Sequence, residues 1–192
     1  MPRWGLATAA AAPILLVAGW TIAAKLQPDG FDSVTQTISE LAAADASHRW
    51  VMTAAILGTG ASQIATAVAL RPAARSGRLL LAAGGVFTVL VALNPLPPEG
   101  QSAFAHAIVA AGSFAALAAW PLVSWQRGAV VPWALRRSVS VTAGCGLVLA
   151  TAWLFREVLT DGETVGLIER ADAVLLNLWP VAVVVSIMRA EG

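Results

Sequence analysis

Six runs of apolar residues, each near the length a helix needs to cross a bilayer, constrain the fold of this chain more than any motif does. The hydrocarbon core of a membrane takes about 20 apolar residues per helical crossing. The runs lie at roughly 6–25, 50–70, 79–95, 103–125, 138–159 and 170–188. Lipid offers no partner to backbone polar groups, so each run is expected as an α-helix that satisfies its own amides and carbonyls. The expected fold class is all-α, a polytopic bundle of six transmembrane helices, with no repeat or linker to divide residues 1–192 into more than one domain. Composition agrees: 12% of residues are charged, against about 25% in soluble proteins. The first run, LATAAAAPILLVAGWTIAA, is longer than the core of a signal peptide and reads as an uncleaved span.

Orientation follows from the basic residues, because Lys and Arg accumulate on the cytoplasmic side. Arg3, Arg71, Arg75, Arg78, Arg127, Arg136, Arg137 and Arg189 fall on one side of the expected topology, which makes both termini cytoplasmic in a plasma-membrane protein. Lys25, Arg49, Arg156 and Arg170 fall on the other, with every acid except Glu191. A net charge of +1 provides no broad basic field, so nucleic acid is not an expected partner. Trp4, Trp50, Trp120 and Trp125 fall near span ends, where amphipathic rings sit at a membrane interface, while Trp179 lies deeper and reads as packing. The lone Cys145 reads as packing too, and excludes an internal disulfide. The preference for Arg over Lys, with abundant Ala, suggests a bacterial source.

The outer side holds nearly all the chemically interesting residues. In FDSVTQTISELAAADASHRW (31–50), Phe31, Val34, Ile38 and Leu41 recur at helical spacing and Ser33 with Gln36 fits a capping box. The stretch is expected as an interfacial helix over about 32–44, either a solvated surface element or a lid that aims Ser39 or Glu40 into the bundle. Ser47 can cap the second span, placing His48 and Arg49 in its first turn; Ser102 can cap the fourth, with His106 one turn in. At that depth His106 reads as a neutral, hydrogen-bonded histidine, an acceptor or a ligand. Arg156 and Glu157 end the fifth span; Glu169, Arg170, Asp172 and Asn177 open the sixth, with Arg170 and Asn177 on one face and Glu169 beside Asp172. These charges form either a salt-bridge network between helices or a polar pocket. Three helix starts converge on this side, so an anionic headgroup would be accommodated; a zwitterionic or metal-assisted ligand is equally admissible.

At TISELAA (37–43), LNP (93–95), FAHAIVA (104–110) and GLIERADAVLLNLW (166–179) the chain resembles an uncharacterised bacterial and archaeal membrane family, domain of unknown function 998. The resemblance covers nearly the whole chain and implies a six-helix integral membrane protein, without an assigned reaction. Ser39, Glu40, His106, Glu169 and Arg170 fall in the resembling segments.

Four functions compete. The first is an outer pocket that binds or senses a lipid or hydrophobic small molecule, using Ser39, Glu40, His48, Arg49, His106, Arg156, Glu169, Arg170 and Asn177. The second is an enzyme on a lipid-borne substrate, with Glu40 or Asp172 as acid or base and His106 as partner, although no HExxH or GxSxG signature is present. The third is a structural partner or homo-oligomer that packs through small residues such as Gly58, Gly60, Gly84, Gly85, Gly144 and Gly146. Coupled transport ranks last, because no ionisable residue is expected near mid-membrane. No cofactor is expected; zinc, held by His48 and His106 with carboxylates, is a weaker idea, since their spacing is not diagnostic.

Overall fold

The computed structural model describes residues 1–28, 30–98, 100–128 and 130–191. Its six long helices are α1 (Trp4–Lys25), α2 (Trp50–Ala69), α3 (Arg75–Leu93), α4 (Phe104–Ala119, continued by a 3-10 turn Trp120–Val123), α5 (Arg137–Leu159) and α6 (Val165–Glu191). The described residues form no strand beyond one isolated bridge between Gln126 and Arg136. All six helices are long and apolar enough to cross a membrane. The sixth begins at Val165 rather than near residue 170, so the GLIER segment is helix and not link, and Glu169, Arg170 and Asp172 sit one to two turns inside it.

Successive helices pack side by side from α1 to α4, and α6 returns to pack against α1 and α5. The segments after α1, α3 and α5 share one end of the bundle, the loop end, where the amide of Ala44 donates to Leu96 O and that of Leu167 to Val34 O. The other end, the arginine end, gathers both chain termini and the segments after α2 and α4, where Ala74 N donates to Ser124 O. Helices α2 and α3 approach closely through glycine: a Cβ on Gly60 would meet Gly85 O at 2.7 Å, and one on Gly85 would meet Gly60 O at 2.8 Å. These glycines join helices of one chain, so they are spent inside the bundle.

The interior has two apolar clusters with a polar layer between them. Leu81, Leu117, Trp120, Leu135 and Val183 belong to the cluster toward the arginine end, and Ile38, Leu41, Met52, Ile56 and Ala92 to that toward the loop end. Between them on α2, α3, α4 and α6 lie Gln63, Thr88, Ser113 and Asn177, all buried. Asn177 donates to Ala173 O, which leaves its carbonyl oxygen to accept from Gln63 Nε2 at 2.9 Å. Gln63 Oε1 in turn accepts from the Thr88 hydroxyl at 2.9 Å, and Ser113 Oγ lies 2.8 Å from that hydroxyl. In a medium without water each of these groups needs a protein partner, and four helices supply them in one chain of bonds.

Two expectations about single residues are corrected. Trp120 is fully buried rather than interfacial, because the 3-10 turn folds its ring back under α3 and α5. Cys145 is exposed on the outward face of α5 rather than packed. Trp179 does pack, with its ring edge-on to Trp133 at 6.3 Å between centroids.

Candidate functional site

The amphipathic stretch reaches the bundle by a route its periodicity only half describes. Ile38 and Leu41 are buried as expected, yet the continuous helix over 32–44 is replaced by turns and one 3-10 helix, Ser39–Ala42. Asp32, not Ser33, organises the start: its carboxylate accepts from Val34 N, and its own amide donates to Gln36 Oε1 at 2.8 Å. The apolar side chains enter the cluster at the loop end, so the stretch seals the bundle.

Helix α6 holds that seal through its first turns. The Arg170 Nη1 group donates to Ser33 O (2.9 Å), Gln36 O (2.7 Å) and Gly166 O (2.9 Å), and the guanidinium lies over the Phe31 ring. Glu169 Oε2 accepts from Ile38 N. The two residues therefore grip the backbone of residues 33–38, and the expected outer salt-bridge network is not what they form. Among the described residues the only pair of oppositely charged side chains in contact is Arg156–Glu157, adjacent in sequence, with Arg156 largely exposed. Glu157 also accepts from Trp153 Nε1 and Thr164 Oγ1, which ties the end of α5 to the link before α6. Asp172 accepts from Thr151 Oγ1 at 2.8 Å, and its other oxygen is buried without a described partner.

Glu40 turns back onto its own loop. Its carboxylate accepts from the Thr37 amide and hydroxyl, both at 3.0 Å, and from Gln36 Nε2. The acid–base pairing expected between Glu40 or Asp172 and His106 is not made among the described hydrogen bonds, because those carboxylates are taken up by Thr37, Gln36 and Thr151. His48 is also displaced: it is exposed in a left-handed turn (φ 51) before α2 rather than in that helix's first turn. Arg49 donates to Ala44 O, and neither Ser47 nor Arg49 caps α2 with a side chain. Ser102 accepts from Phe104 N at 3.4 Å, with Ala103 as the N-cap of α4.

His106 is buried, and its Nδ1 lies 2.7 Å from Asn94 O. A carbonyl only accepts, so Nδ1 carries a proton, and the neutral form of such a ring has Nε2 as its acceptor. That ring lines a groove of about 480 Å³ between α4 and α5, with Ala107, Ala111, Phe114, Leu154, Phe155 and Val158 as its apolar walls and Thr37, Ser39, His106 and Glu169 as its polar groups. A second, smaller cavity of about 70 Å³ lies behind, between Ser39 and Glu169 at one side and Gln63, Thr88, Ser113 and Asn177 at the other. Ser39, Ala110, Phe114 and Glu169 line both spaces. Of the residues singled out in the sequence, the structure thus brings Ser39, His106, Glu169 and Asn177 to two cavities with shared walls, and leaves Glu40, His48, Arg49, Arg156, Arg170 and Asp172 outside those walls. Gln63, Thr88 and Ser113 were not legible as site residues; their signal was only that amide and hydroxyl side chains stood inside apolar runs. Among the described residues no three His, Cys, Asp or Glu side chains gather as metal ligands.

Helices, seal and cavities together define a multi-pass membrane protein with a buried polar layer and a side groove at its loop end. The chain belongs to the family described as protein of unknown function (DUF998), whose profile matches residues 9–186. No curated protein and no solved structure matches it.

Proposed function

We propose that the protein binds a lipid or another hydrophobic small molecule in the groove between α4 and α5. The observation that carries this reading is the groove itself: apolar walls over most of its length, ending at Ser39, His106 and Glu169. Its volume of about 480 Å³ lies within the roughly 300–1,000 Å³ usual for small-molecule sites, and its walls are helix faces that bound lipid can reach sideways. Ala107 and Ala111 leave space that larger side chains would fill. In this reading the loop end faces outward and both termini lie in the cytoplasm of a plasma membrane, as the arginine distribution favours.

The test is native mass spectrometry of the full chain released from mild detergent, with Ala111→Trp as control. Ala111 is exposed toward the groove, so the indole fills space without displacing core. The expected result is a retained hydrophobic adduct in the wild type that is lost in Ala111→Trp. A protein free of adduct in several detergents, or an adduct indifferent to Ala111→Trp, overturns the reading.

A further inference from the structure

The groove's polar end is built from acceptors. Glu169 is 7% exposed, spends one carboxylate oxygen on Ile38 N, and has no described hydrogen-bond partner for the other, although it lines both cavities. His106 lines the groove with Nδ1 held by the Asn94 carbonyl, so its neutral form accepts through Nε2. Ser39 brings a hydroxyl, which accepts as readily as it donates, while the Thr37 hydroxyl is already engaged with Glu40. Among the described residues no Lys or Arg lines either space: Arg170, the neighbouring buried cation, has turned its Nη1 to the carbonyls of Ser33, Gln36 and Gly166. The anion-accepting site expected from converging helix starts is therefore not what the side chains make. A phosphate here would meet a carboxylate and a lone pair on the walls, while Arg170, the neighbouring cation, lies outside those walls with its Nη1 on loop carbonyls, in a setting where unpaired charge is costly.

The geometry points to an amphiphile whose head is a small hydrogen-bond donor without negative charge, a hydroxyl or an ammonium, seated against Glu169 and His106 with its chain along α4 and α5. The inner cavity limits the head's size. At about 70 Å³, against about 480 Å³ for the groove, it suits a hydroxyl or an amine better than a sugar. This inference rests on the proposed function and adds the chemistry of the head.

The experiment uses three probes that share one chain and one photoreactive diazirine: hexadecanol, hexadecylamine and hexadecyl phosphate. Each is cross-linked to the purified full-length chain, and labelling of α4 and α5 peptides is read by mass spectrometry. The expected result is labelling by the alcohol or the amine about tenfold above that by the phosphate, a gap a single hydrogen-bonded head can supply; whichever of the two leads identifies the head. Glu169→Gln should erase the discrimination, because its amide oxygen takes the Ile38 N–H and its NH2 then donates into the cavity. If that variant does not fold, His106→Gln, which leaves the Ile38 anchor in place, is expected to narrow the gap. Equal labelling by phosphate overturns the head chemistry while the groove reading stands. A gap unchanged in the folded variant overturns it too, and labelling by none of the probes overturns the groove reading with it.

Discussion

Gly166 and Gln36 meet without room for a methyl group: a Cβ on Gly166 would lie 2.1 Å from the Gln36 carbonyl oxygen. The carbonyl cannot retreat cheaply, because Arg170 Nη1 holds it at 2.7 Å. Gly166→Ala is therefore expected to lower the thermal midpoint in detergent by an amount equivalent to about 1–3 kcal/mol, as overpacked contacts do. Proteolysis should then cut first within residues 31–38. An unchanged midpoint and digestion pattern would mean the seal is not fixed by this contact.

The polar layer predicts non-additivity. Asn177→Leu alone leaves Gln63 Nε2 without its acceptor, and Gln63→Leu alone leaves Asn177 Oδ1 without its donor. The double replacement should cost less than the sum of the singles, with a coupling of about 0.6–1.7 kcal/mol, the range for hydrogen bonds between membrane helices. Additive unfolding midpoints would show that the bond contributes nothing measurable.

Glu40 gives a contrast with Glu169. It lines neither cavity and its bonds stay within residues 36–40. Glu40→Gln keeps an acceptor for Thr37 N, so it is expected to cost about 0.5–1.5 kcal/mol at most and to retain the adduct seen in the wild type. Loss of the adduct in a folded Glu40→Gln protein would bring this carboxylate back into the site.

The exposed Cys145 lies near the middle of α5, where the surrounding medium is hydrocarbon. A side chain facing lipid is shielded from water and from a water-soluble maleimide. Labelling by such a reagent is expected to be at least about tenfold slower in vesicles than in denaturing detergent, because lipid keeps the reagent from the thiol. Equal rates would place this face of α5 in water.

The spans were legible because lipid enforces a rule that acts along the chain: about 20 apolar residues that close their own hydrogen bonds. Four of the six starts fall within two residues of it, and α3 begins four residues early, at Arg75. The start of α6 departs from it because Glu169 and Arg170 find partners on Ile38, Ser33 and Gln36, more than a hundred residues earlier. No local pattern carries that information. The periodicity of residues 31–41 did indicate that Ile38 and Leu41 are buried, but it named a helix where contacts with α6 draw the backbone into turns. Glu40 in the interfacial stretch and Glu169 at the sixth span both stood out as outer-side acids; only the fold turns one to its own loop and the other to a cavity. Gln63 stayed unread, since a single amide in an apolar run has no signature until its partners are placed beside it.

The bonds that join residues 33–38 to α6 reach main-chain atoms of the loop: the carbonyls of Ser33, Val34 and Gln36 and the amide of Ile38. Recognition in this seam is by backbone path, so a different side chain at position 33, 34 or 36 leaves the same acceptors in place. A new residue at 166, 169 or 170 removes a counterpart that no loop side chain can restore. Tolerance to substitution should therefore be lopsided across the contact, wide on the loop and narrow on the helix.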